Sequence, residues 1–219
     1  RRPQVKEATY IKYDTALSRH IKPRLGGCFP LGLSSALIDE FTRELLFEEE
    51  LAPKTVHDIL VVLHGVMKYT AACFPGAFPA VEIRYPKCSR REMRVLSREE
   101  EERFVSYLLA DMDACKFGVL LTLFTGMRIG ELCALRWDGV SLRDGTIRIA
   151  ATLQRLRDTD AAGGARTRIV IGPPKSDTSA RTIPLTDGAA ALCRRMAPGD
   201  AAAYVLTGTE DYMEPRTLQ

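Results

Sequence analysis

The run FGVLLTLFTGMRIGELCALRW, Phe117 to Trp137, sets two apolar segments on either side of a single arginine. Its first part, Phe117 to Phe124, is long enough for two helical turns buried on most sides. Thr125-Gly126 then stops it, because glycine takes the backbone angles that a helix exit needs. A second amphipathic segment follows at once, with Ile129, Leu132, Cys133 and Leu135 on one side. Arg128 falls at the joint. A guanidinium there is expected to be partly desolvated and to need an anionic partner. Two partners fit. Glu131, three residues on, gives a local ion pair. Alternatively, Arg128 faces a pocket and holds a phosphate bidentately, with Glu131 as a buttress.

A second stretch, Pro174-Lys175-Ser176-Asp177-Thr178-Ser179-Ala180-Arg181-Thr182-Ile183-Pro184-Leu185, lies about forty residues downstream. Together the two resemble the tyrosine recombinases, the phage and conjugative-element integrases. TGMRIGELCALRW matches every fixed position of the T-G-x-R-x-x-E-L-x-x-L-x-W active-site box of that family. The downstream stretch is similar to its β-hairpin lysine segment, K-[ST]-x-x-S-x-R-x-I-P-L. Two such motifs in the right order are a far more specific signal than either alone.

Composition sets the outer bounds. The 219 residues are 46% hydrophobic, enough for a packed core in one or two domains. Net charge is only +3, so the total points to no partner, but its distribution is uneven. Residues 1–96 carry 15 Lys/Arg against 11 Asp/Glu, and residues 97–219 carry 16 against 17. The basic excess therefore sits in the N-terminal part, as phosphate contacts would require. Cys28, Cys73, Cys88, Cys115, Cys133 and Cys193 are scattered without a C-x-x-C element, so no zinc framework is expected, and a reducing cytoplasm fits. No apolar run approaches membrane-spanning length.

Along the chain, residues 3–21 read as a helix and Lys22-Pro23 to Gly32 as a loop. Ser34 or Ser35 caps a helix carrying Leu37, Ile38, Phe41, Leu45 and Leu46, whose acidic end Glu48-Glu49-Glu50 reads as a solvated face. Pro53 opens a last helix with Val56, Ile59, Leu60, Leu63, Val66 and Met67 on one stripe. Residues 75–96 form a basic linker by composition, interrupted by Pro and Gly. Ser97 and Glu100 make a capping box that starts the second domain. Strands are expected over Thr146–Ala150, Thr167–Ile171 and Ala180–Leu185, with a tip over Asp158–Ala165. Thr186 or Asp187 caps a helix to about Met196, Tyr204-Val205-Leu206 is extended, and Pro215 begins a helical turn.

The resemblance implies an α+β fold in two parts. Residues 1–74 are similar to the SAM-like, all-α core-binding domain of that family, and 75–96 link them to 97–219, an incomplete catalytic domain of helices with a small antiparallel three-stranded sheet. His20-Ile21-Lys22-Pro23-Arg24-Leu25-Gly26 and Pro53-Lys54-Thr55-Val56 carry the likeness in the first part. The implied chemistry is strand cutting and rejoining through a phosphotyrosine link, with neither metal nor other cofactor. Arg128 would neutralise the non-bridging phosphate oxygens, Lys175 would protonate the leaving 5′ oxygen, and Glu131 would orient its neighbours. Double-stranded DNA is the implied partner, with Lys54, Thr55, His57, Lys68, Arg84, Lys87, Arg90, Arg91 and Arg181 as contacts. Self-assembly into a tetramer on paired sites is implied for the full-length protein.

The family also carries a His-x-x-Arg box and a nucleophilic tyrosine after the lysine. The three histidines here, His20, His57 and His64, all precede Arg128, and no such box separates Lys175 from Tyr204 or Tyr212. The chain starts at Arg1 and stops inside a helical pattern, and it reads as a piece of a longer protein, inactive by itself. Two other readings stay open: a non-catalytic DNA-binding module derived from an integrase, and a helical interaction protein without a DNA role.

Overall fold

The computed structural model describes residues 5–76, 81–89, 92–158, 167–174 and 179–218. It divides into two compact units, Arg1–Met93 and Arg94–Gln219.

The first unit is helical. Helix α1 (Glu7–Thr15) runs through a π-helical segment (Ala16–Ile21) into α2 (Lys22–Leu25). The chain is thus helical where a loop was expected at Lys22-Pro23. The wider π turn just before Pro23 relieves the clash its ring would make in a regular α-helix, and proline's missing N–H is tolerated near the start of a new turn. Helix α3 (Ser35–Phe47) starts at Ser34, whose Oγ accepts the Leu37 N–H at 3.2 Å. Helix α4 (Pro53–Cys73) starts at Pro53, where no N–H is needed. Ile38, Phe41, Leu45, Val56, Leu60 and Leu63 close the core between them, each fully buried aliphatic contributing about 1.5–3 kcal/mol. Val66, assigned by spacing to this stripe, is exposed, and Met67 only borders the core.

One reading of this unit changes, and another gains detail. The acidic run after α3 is not just a solvated face. Glu49 accepts from His20 Nδ1 at 2.9 Å and pairs with Arg24 at 2.5 Å, tying the end of α3 to the π segment and α2. The first part of the basic linker lies against the helices of this unit. Val81 and Ile83 pack against the helical core, the Glu82 N–H donates to Ser35 Oγ at 2.9 Å, and Arg84 reaches Asp39 at 3.3 Å. Tyr85 lies with its ring 4.9 Å from that of His57 and its hydroxyl 3.0 Å from His64 Nδ1. Alternation of Val81, Ile83 and Tyr85 places one side of an extended strap on the helices, as a strand period would.

In the second unit, α5 (Arg98–Ala110) begins with the Ser97/Glu100 capping box, and α6 (Ala114–Thr125) is capped by Asp113, which accepts the Lys116 N–H at 2.8 Å. Phe117, Leu120 and Leu121 of α6 are wholly buried, and Phe117 stacks on Trp137 at 6.4 Å. Helix α7 (Ile129–Ala134) follows after Gly126, which stands at φ 63°.

The strands are β1 (Val140–Ser141), β2 (Thr146–Ile149), β3 (Thr152–Arg157), β4 (Thr167–Gly172) and β5 (Arg181–Pro184). They form a three-stranded antiparallel sheet, β1-β2-β5, and a separate antiparallel pair, β3-β4. The three segments expected to share one sheet are therefore divided. Ile147 faces Ile183 in the first sheet, whereas Ile171 faces Leu153 in the second. Helix α8 (Asp187–Met196), capped by Thr186, packs on α6. The segment after it returns to the core through Ala203, Val205 and Leu206. It is hydrogen-bonded where the Trp137 N–H meets the Ala203 carbonyl at 3.0 Å and the Val205 N–H meets that of Leu135 at 2.9 Å. The expected tip over Asp158–Ala165 lies, beyond Asp158, outside the described residues.

Candidate phosphate-binding site

The site is built where α6 gives way to α7. Gly126 in the left-handed conformation turns the chain, Met127 plugs into the core at 2% exposure, and Arg128 then takes extended angles as the residue capping α7. Glu131, one turn into α7, reaches back so that its Oε2 accepts the Arg128 backbone N–H at 3.0 Å. This is the reciprocal half of a capping box, and it fixes both residues from local sequence alone. Gly130 permits a close approach to β3: a Cβ there would meet the Leu153 carbonyl oxygen and Thr152 Oγ1 at 2.7 Å each.

The Glu131 carboxylate is only 2% exposed, and four donors occupy it. Oε1 accepts from Arg128 Nη1 at 2.8 Å and from Arg181 Nη1 at 3.1 Å. Oε2 accepts from the Arg128 N–H and from Arg181 Nη2 at 2.9 Å. All four acceptor positions of a carboxylate are thereby filled. Arg181 holds it as a fork and also donates to the Ser179 carbonyl at 3.1 Å. Its side chain is 30% exposed, against 69% for Arg128.

The expectation of a desolvated Arg128 is therefore corrected: the buried charge at the joint is the carboxylate. Arg128 reaches it with one nitrogen, while Nε and Nη2 lie in an exposed side chain. One anion between two cations leaves the cluster a net positive charge, carried on its outer side by Arg128.

Burial pushes the Glu131 carboxyl up, but the Arg181 hydrogen bonds first, then the Arg128 backbone and side chain, bring it down to about 2 from 4.5. A folded value below the unfolded one gives stability that is complete above about pH 4.5 and is lost as pH falls toward 2. A shift of this size corresponds to about 3 kcal/mol. Unfolding of the second unit, followed by the fluorescence of Trp137, is expected to lose about that much between roughly pH 5 and pH 2. Glu131→Gln should flatten this part of the profile.

The other residues singled out from the sequence are distributed as follows. Lys175, Arg90 and Arg91 lie outside the described residues, although Pro174 and Ser179, which bracket the lysine segment, are both buried. Lys54 and Lys68 fall on one side of α4, since their spacing is close to four turns. Lys54 is paired with Asp58 one turn on, while Lys68, Thr55 and Lys87 are exposed. His57 carries the Tyr85 ring, and Arg84 pairs with Asp39. Arg181 belongs to the carboxylate cluster.

Sequence reasoning missed a cleft of about 380 Å³ beside the cluster, lined by Glu131, Arg136, Asp138, Arg148 and Tyr204 among others. Arg136 stacks 4.4 Å over the Tyr204 ring and donates to the Ala202 carbonyl at 2.7 Å. Arg148 is the outward residue of β2, detectable only by the alternation of that strand. Also missed was Arg155 on β3, which grips Glu214 with a two-nitrogen fork, Nε at 2.9 Å, across 59 positions of sequence. Among the described residues no group of three or more His, Cys, Asp or Glu could hold a metal. Nor is any helix among the described residues long and apolar enough to cross a membrane.

No protein-family model matches the chain. Among curated proteins it is 36% identical over 81 residues to the tyrosine recombinase XerC of Xylella fastidiosa (strain M23), covering 36% of this chain and 28% of that protein. It is 29% identical over 122 residues to the tyrosine recombinase XerC of Xanthomonas campestris pv. campestris (strain B100), covering 48% of this chain and 38% of that one. The chain thus spans well under half of these curated relatives. In fold it is similar to the Tn1549 transposon integrase in complex with transposon right-end DNA, with TM-score 0.72 at 22% identity over 96% of this chain and 66% of that one. It is also similar to a lambda integrase tetramer bound to a Holliday junction, with TM-score 0.65 at 15% identity over 99% of this chain and 59% of that one.

Proposed function

We propose that this chain, which belongs to the tyrosine recombinase family, is the DNA-gripping and phosphate-orienting part of a site-specific recombinase that cuts and rejoins duplex DNA through a phosphotyrosine link. The observation that carries this reading is the Glu131 cluster: a saturated, buried carboxylate that holds Arg128 by one terminal nitrogen and leaves its side chain 69% exposed. A guanidinium held this way binds non-bridging phosphate oxygens without reorganising as charge builds on them.

In this scheme Lys175 delivers a proton to the leaving 5′ oxygen, and Glu131 orients the arginines without touching DNA. Residues 1–74 are the core-binding domain, 75–96 the basic linker and 97–219 part of the catalytic domain. Lys54, Thr55, His57, Lys68, Arg84, Lys87, Arg90 and Arg91 contact the DNA backbone; for Arg84 and Lys54 this means exchanging Asp39 and Asp58 for phosphate, an exchange that mixed salt bridges on a surface allow at little cost. No His-x-x-Arg box follows Lys175 in these residues, so the nucleophile and its supporting groups come from outside them. The working protein acts in the cytoplasm and assembles as a tetramer on paired sites. A lambda integrase of similar fold is a tetramer when bound to a Holliday junction, which supports that assembly.

Binding to a duplex oligonucleotide should weaken steeply with salt, the logarithm of affinity falling by about 0.9 for each phosphate neutralised. A nicked substrate that traps covalent intermediates is expected to give no adduct with residues 1–219 and an adduct with the intact gene product. An adduct with these residues alone would refute the division of labour. DNA binding by the intact gene product without any cleavage would favour the non-catalytic module instead.

A further inference from the structure

The sequence placed Arg181 among DNA contacts, but its surroundings argue for another task. Both of its terminal nitrogens are committed to Glu131, and one also holds the Ser179 carbonyl. The side chain is less than half as exposed as that of Arg128. It reaches Glu131 from β5, whereas Arg128 and Glu131 share the start of α7.

Charge counting shows what this arrangement does. A lone Arg128–Glu131 pair would be neutral, and Arg128 would gain by turning both nitrogens onto the carboxylate in a fork. Arg181 already occupies that fork. It leaves Arg128 one lateral bond to Glu131, and the pair becomes a triad with net positive charge facing outward. The same guanidinium pins Ser179, the buried residue that follows the lysine-bearing segment. Its removal would free Glu131 to draw Arg128 inward and release one anchor of that segment.

We infer that Arg181 is a positioning residue: by occupying the Glu131 fork it keeps Arg128 free and correctly aimed for a DNA phosphate, and it does not bind phosphate itself. The inference rests on the reading of Arg128 as the phosphate ligand.

A double-mutant cycle on the 219-residue chain tests it, with affinity for a duplex oligonucleotide measured by fluorescence anisotropy across a salt series. Arg128→Gln and Arg181→Gln are each expected to weaken binding roughly tenfold, about one charge-assisted contact. The double variant should be no more than about twofold weaker than either single one, because Arg181 acts only through Arg128. Arg181→Lys, which keeps the charge and guards against a folding defect but cannot bridge both oxygens, should bind between the wild type and Arg181→Gln. Carbon NMR of the Glu131 carboxyl checks that the fork itself is lost: it should titrate clearly higher in Arg181→Gln, while the non-additive binding loss and the partial rescue by lysine distinguish positioning from a purely structural role.

Additive losses, with the salt slope falling by about a further 0.9 in the double variant, would mean that Arg181 touches phosphate, and the inference fails while the phosphate reading survives. An unshifted Glu131 titration would also overturn it. Equal binding by Arg128→Gln and wild type would instead sink the phosphate reading beneath it.

Discussion

Glu131→Ala is expected to destabilise the second unit by about 3 kcal/mol, the low end of what breaking a buried ion pair costs. Three of the four donors lose their acceptor in a place where water reaches them poorly: the Arg128 backbone N–H and both terminal nitrogens of Arg181, whose side chain is 30% exposed. The Arg128 side chain, 69% exposed, rehydrates freely and adds little, which holds the figure down. The lowering of the Glu131 carboxyl to about 2 corresponds to a stabilisation of similar size.

Chemical denaturation followed by the single tryptophan, Trp137, reports this unit selectively, since the first unit has none. In a thermal melt the midpoint temperature should fall by roughly 10 °C. Glu131→Gln, which retains one carbonyl oxygen as acceptor and the same shape, should cost clearly less. A loss under about 1 kcal/mol for alanine would show that the carboxylate does not organise the two arginines.

The site was legible in the sequence to the extent that its geometry is local. Thr125-Gly126 announced the helix exit, and the exit, the cap at Arg128 and the reach of Glu131 all lie within seven residues. Capping at Ser34, Ser97 and Thr186 was readable for the same reason. What the pattern misjudged was which charge is buried. From spacing alone an arginine and a glutamate at a helix start look equivalent. Only the arrival of Arg181 from 50 positions away makes the carboxylate the buried centre.

The β3-β4 pair shows the opposite limit. Strand β3, Thr152-Leu153-Gln154-Arg155-Leu156-Arg157, carries its leucines three apart, so it shows neither a clean strand period nor a helical one. Only Leu153 is buried in the core; Ile169 borders it, while Leu156, Val170 and Ile171 stay partly or wholly exposed. A hairpin of this kind is specified by its partner strand and by contacts such as Arg155–Glu214, which no local pattern encodes. The packing of the strap over residues 81–85 is hard to read for a different reason: the prolines and charges around it outweigh a three-residue apolar alternation.

Arg128→Gln separates chemistry from stability in the way Glu131→Ala cannot. In the intact gene product, cleavage of a nicked substrate is expected to drop by about 10²–10³-fold, the usual loss when one preorganised donor to a developing oxyanion is removed. Affinity for DNA should fall only roughly tenfold, because Arg128 is one contact among several, and the salt slope should shrink by about 0.9. Folding stability should stay within about 0.5 kcal/mol of wild type. Glu131 loses a single bond of 2.8 Å, keeps the Arg181 fork, and still accepts the backbone N–H of residue 128 whatever its side chain. Arg128→Lys keeps the charge but presents a point cation in place of a planar fork, and it should recover binding more completely than cleavage. This split is what distinguishes an arginine aimed at a reacting phosphate from one that only decorates a basic surface: for the latter, cleavage and affinity would fall together by the same factor, and lysine would restore both.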